Sequence, residues 1–106
     1  MPHDAPAPLH ILRLSDLFDG VAARRLEAWL AALQPATQVR IDLSKVREFH
    51  DFGLAVLAQA LSRCRAEVTV VGLRQHQVRM LRYFGVEASR LEPAPGAAAG
   101  LGGPQA

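Results

Sequence analysis

Val39, Ile41 and Leu43 alternate with Arg40 and Asp42, the period-two pattern of a strand with one apolar face that turns polar where it ends. After a polar turn the period changes: Leu54, Leu57, Ala58 and Leu61 fall at i, i+3, i+4 and i+7, the stripe of an amphipathic helix. Gly53 at its start lets the backbone run close against a neighbouring segment. In open α/β sheets, ligands and partners gather where strands end and helices begin. His50, Asp51, Phe52, Gly53 and Leu54 occupy that point and are the candidate partner-binding residues.

The same reading organises the rest of the chain. Residues 1–8 carry three prolines and little to bury, which predicts a loose leader. Leu9 to Leu14 is a strand, and Ser15 to Gly20 a turn in which Asp19 caps the next helix by accepting a backbone N–H. Ala22, Leu26, Trp29, Leu30 and Leu33 make one apolar stripe, and Pro35 ends that helix. Arg63 and Arg65 stand where positive charge suits the C-terminus of the second helix. Val68 to Val71 is a β-branched run without alternation, the pattern of a central strand covered on both faces, extending to Leu73. Gly72 to Gln75 turns into a third helix marked by Gln77, Met80, Leu81 and Phe84, with Gly85 as its left-handed cap. From Pro93 onward the chain is uncharged and rich in Pro, Gly and Ala, which predicts a disordered tail at 93–106 and one domain at 9–92. Alternating strands and helices imply right-handed crossovers. The fold class expected is therefore α/β, a small mixed, largely parallel sheet of about four strands flanked by helices.

Composition narrows the function more than the fold. Half of the 106 residues are apolar but only four Phe, one Trp and one Tyr are aromatic, so a single core of Leu, Val and Ala is expected. Twelve Lys and Arg against ten Asp and Glu is close to balance, which argues against nucleic acid as a partner. The lone Cys64 excludes an internal disulfide framework and suits a reducing compartment. With no secretory segment and no apolar run near the roughly 20 residues that cross a bilayer, a cytoplasmic setting without membrane insertion is expected.

Catalytic signatures are missing. There is no GxGxxG, no glycine-rich GK[ST] loop, no CxxC and no GxSxG around Ser44, and the four His are scattered. The expectation is no enzyme, no cofactor and no metal. His50 reads as a solvated loop histidine, Asp51 as an ordinary N-cap, Asp42 as an acceptor for turn N–H groups, and Trp29 as packing. Cys64 reads as a bystander. Arg74, His76, Arg79 and Arg82 make the third helix basic on its outer side. A solvated face accounts for that charge, and an acidic protein surface is its sharper alternative.

The stretch IDLSKVREFHDFGLAVLAQAL, continued by VTVVGL and LRYFGV, resembles the STAS domains of bacterial anti-sigma factor antagonists and sulfate-transporter tails over about Leu9 to Leu91. The resemblance implies a small sheet with helices, no catalysis, and docking of a protein partner, an anti-sigma factor or serine-kinase-like ATPase, through the 50–54 turn and the helix after it. Antagonists of that type carry Asp-Ser-Ser-Gly at this turn and take a phosphate on the second Ser. Here the matching residues are His50-Asp51-Phe52-Gly53, so Phe52 occupies the phosphoacceptor position and no phosphorylation is expected there. Single STAS-like domains also resemble accessory subunits of ABC-type lipid transporters, the alternative function. Phe52 stands either as an exposed anchor or as a staple folded over its own helix.

Overall fold

The computed structural model describes residues 9–93. In chain order the elements are β1 (Leu9–Phe18), α1 (Gly20–Ala31), β2 (Gln38–Phe49), α2 (Asp51–Arg63), β3 (Glu67–Leu73), α3 (Gln75–Tyr83), one 3-10 turn (Ala88–Arg90) and β4 (Leu91–Pro93). The sheet order is β1-β2-β3-β4, and every pairing is parallel. The expected mixed sheet is thus wholly parallel among the described residues. The leader at 1–8 and most of the predicted tail lie outside them.

A strand order that advances in one direction, joined by right-handed crossovers, must put every crossover helix on the same face. α1 packs on α2 and α2 on α3, and the core lies between this layer and the sheet. Val39, Ile41 and Leu43 of β2 and Val68 and Val70 of β3 point into it, against Leu26 and Leu30 of α1 and Leu54, Leu57 and Leu61 of α2. On the other face, Ile11, Arg40 and Thr69 stand in one row and Arg13, Asp42, Val71 and Glu92 in the next. Arg13 pairs with Asp42 at 3.7 Å, and Arg40 reaches Glu92 at 3.8 Å. The expectation that β3 is covered on both faces is corrected by this geometry: on the face without helices Thr69 and Val71 are only half-buried, and β-branched residues there also serve strand propensity.

Two boundaries also move. Ser15 to Phe18 is strand, not turn, and β2 runs on through the supposed polar turn to Phe49, because these two segments pair with each other. Their register slips between Arg13 and Ser15 and again between Asp16 and Leu17, with Asp16 at φ 66°. These irregularities deliver Phe18 into the core, where its ring meets Phe49 at 6.0 Å. β4 was not marked by any periodic pattern, since it holds one buried apolar residue, Leu91.

α3 ends as predicted. Gly85 adopts φ 103°, its N–H bonds to Arg82 O at 2.9 Å, and the Val86 N–H bonds to Leu81 O at 3.0 Å, the paired closure of a Schellman motif with buried Leu81 and Val86 behind it.

Asp42 accepts from the Ser44 N–H at 2.9 Å, the acceptor role expected of it, but within β2 and not at a turn. Hydrogen bonding from the Ser44 hydroxyl and N–H, helped by Arg13 and Lys45 and opposed by partial burial, holds its carboxyl below the usual range. A carboxylate with a depressed folded pKa stabilises the fold above its unfolded pKa, about 3.9, and loses that contribution as pH falls through the folded value. Asp42→Asn should therefore melt below the parent at neutral pH, with the gap closing under acid, as thermal midpoints measured from neutral pH downward will check. A gap constant with pH would refute it.

Candidate functional site

The amino ends of α1 and α2 converge beyond the carboxyl ends of β1 and β2. Asp19 caps α1, its Oδ1 accepting from the Ala22 N–H at 3.0 Å. The His50 N–H bonds to Phe18 O at 2.9 Å, tying the start of α2 to the end of β1. Gly53 completes the junction: a Cβ there would lie 2.9 Å from the carbonyl carbon and oxygen of Asp19 and 3.0 Å from Phe18 O. Only a residue without a side chain lets α2 begin this close to the neighbouring backbone.

The five candidate residues divide at this junction. Gly53 and Leu54 are buried and hold the rim in place, while His50, Asp51 and Phe52 are exposed. The N-cap of α2 is His50, which makes no side-chain capping bond, and Asp51 is the first helical residue. The expected N-cap role of Asp51 is thus corrected. As a carboxylate in the first turn it still complements the helix dipole. His50 is solvated as expected, its Nε2 lying 2.9 Å from Glu48 Oε2.

Phe52 follows neither arrangement left open by the sequence in pure form. It is 58% exposed, and one ring edge rests on Gly20 at the start of α1, where a Cβ would fall 2.6 Å from Phe52 Cδ2. The Arg24 guanidinium lies 5.6 Å from the ring centroid, a cation–π distance. Gly20 and Arg24 belong to this site and were missed; the missing signal was tertiary, since nothing in α1 refers to α2. The ring is thereby oriented by its neighbours and still presents most of its surface to solvent.

Trp29 sits half-buried on α1, edge-on to His10 at 6.2 Å, a packing position. Cys64 lies at the end of α2, its Sγ 4.0 Å from Leu30 O. Among the described residues no group of three His, Cys, Asp or Glu could hold a metal ion, and no helix is long and apolar enough to cross a membrane.

The domain is a wholly parallel sheet, among the described residues, with its helices on one face and the Phe52 ring exposed between two helix starts. The chain belongs to the STAS domain family: the family described as "Mlab, STAS domain" matches residues 6–93. No curated protein matches it. Among solved structures, a sulfate transporter family protein from Wolinella succinogenes superposes with TM-score 0.63 at 17% identity, covering 87% of this chain and 84% of that one. The SulP transporter STAS domain from Vibrio cholerae superposes with TM-score 0.58 at 19% identity, covering 88% and 80%. These likenesses establish the fold.

Proposed function

We propose that the protein is a non-enzymatic docking subunit that holds a protein partner constitutively through His50, Asp51 and Phe52, and that this partner is the ATPase of an ABC-type lipid transporter. The observation that carries the reading is Phe52, an aromatic ring 58% exposed on the rim and oriented by Gly20 and Arg24. Aromatic anchors of this kind dominate protein interfaces. The family's switch, set by a serine kinase, needs a hydroxyl at this turn, and His50, Asp51, Phe52 and Gly53 have none. Unswitched contact suits a standing subunit better than an antagonist that must release its partner on phosphorylation. The match to the family described as "Mlab, STAS domain" supports the same choice. The anti-sigma factor antagonist reading keeps the rim but has no observation of its own.

Co-expression of the tagged chain with such an ATPase, and separately with a histidine-kinase-like anti-sigma factor, tests the partner class. The first should co-purify and the second should not; the reverse result overturns the assignment. In the complex, Phe52→Ala should weaken affinity by about 2 kcal/mol, roughly thirtyfold, and Phe52→Glu should abolish it by placing charge in an apolar contact. Calorimetry showing unchanged affinity in both variants would sink the rim as the docking site.

A further inference from the structure

α3 carries a second group of side chains that the core does not use. The helix buries Gln77 and Leu81, while His76, Arg79, Arg82 and Tyr83 on its other side are exposed. Among the described residues neither Arg79 nor Arg82 takes part in an ion pair. Tyr83 is 88% exposed and Phe84 42%, their rings meeting edge to face at 5.9 Å. With Met80 they form a shallow hollow bordered by His76, Arg79 and Arg82. The closure at Gly85 stops the helix here, so the aromatic pair projects from its end. Glu87 follows two residues after the closing glycine, so two arginines against one carboxylate leave this end of the helix net positive.

We infer that the α3 face formed by Arg79, Met80, Arg82, Tyr83 and Phe84 rests on an anionic membrane surface, with Tyr83 and Phe84 at headgroup depth and the arginines on lipid phosphates. Charge complementarity selects the occupant: unpaired arginines seek anions, and projecting rings seek an apolar medium, which an anionic bilayer supplies within one Debye length of its surface. Tyrosine, with an apolar ring and a polar tip, suits that boundary. Contact is peripheral, since no helix among the described residues could span the bilayer. α3 packs beside α2 on the flank away from α1, so the Phe52 rim stays free, and the inference stands apart from the docking reading.

The test is co-sedimentation of the full chain with vesicles of equimolar phosphatidylglycerol and phosphatidylcholine, and with phosphatidylcholine alone. Binding to the first only, falling as salt is raised, is expected. Each arginine contributes about fivefold to partitioning, so Arg79→Glu with Arg82→Glu should lower it at least about 25-fold. Tyr83→Ala should weaken it while leaving the salt dependence. These residues are exposed, so melting temperatures should hold; should the reversal disturb folding, Arg79→Gln with Arg82→Gln serves in its place. Phe52→Glu should bind vesicles like the parent. No binding at low salt, equal binding by the double variant, or binding of poly-glutamate without vesicle binding, which would indicate an acidic protein, overturns the proposal.

Discussion

Gly72→Ala should destabilise the domain by about 3 kcal/mol or more, the sum of left-handed backbone strain and overpacking. Gly72 lies in β3 at φ 86°, and an added Cβ would meet Ser44 N at 2.4 Å and Ser44 Cα at 2.7 Å. Those atoms are the backbone of β2, fixed by its neighbours, so relief requires moving a central strand. The position also coincides with the register slip of β3 against β4 between Val71 and Leu73. Gly85 supplies the control. It has a similar φ, 103°, and an added Cβ there would meet nothing within 4 Å, so Gly85→Ala incurs backbone strain alone, about 1–2 kcal/mol. For a domain of this size, each 1 kcal/mol shifts the melting temperature by about 4–8 °C. Urea or thermal unfolding should place Gly72→Ala well below Gly85→Ala, and equal losses would show that the approach to Ser44 does not matter.

The second large effect is Phe18→Ala, expected to cost about 3–5 kcal/mol as a buried aromatic truncation. Phe18 is fully buried, with Phe49 against it at 6.0 Å, and its carbonyl receives the His50 N–H. The cavity would open directly under the junction from which α2 starts. Phe52→Ala, with most of its ring already in water, should leave the unfolding midpoint nearly unchanged. Denaturant curves for both variants therefore separate the residue that builds the rim from the residue that faces outward from it. A large loss for Phe52→Ala would make that ring part of the core and remove it as an anchor.

The contrast between Phe18 and Phe52 marks what the amino-acid string made legible. The alternation at Val39 to Leu43, the stripe from Leu54 to Leu61, the Asp19 cap and the Gly85 closure all depend on neighbours within a turn or a strand, and each is visible in local order. Phe18 sits in the string SDLFDG, whose Ser and Asp letters favour a turn; its strand exists because Ser15 to Phe18 pairs with Lys45 to Phe49, a relation between segments. β4 is visible for the same reason only in three dimensions. The one-sided placement of the helices followed from strand order, which alternation of strands and helices alone does not fix. At the site, Gly53 was legible because a glycine before an apolar stripe implies close approach, whereas the seat of Phe52 on Gly20 and beneath Arg24 was not.

The advancing order of the sheet has a consequence for synthesis of the chain. Each strand hydrogen-bonds to the one made just before it, and each helix packs on its predecessor. Among the described residues the sheet therefore needs no gap held open for a strand still to be translated. β2 adds to β1, β3 adds to β2, and the short β4 comes last among the described residues, along the free edge of β3.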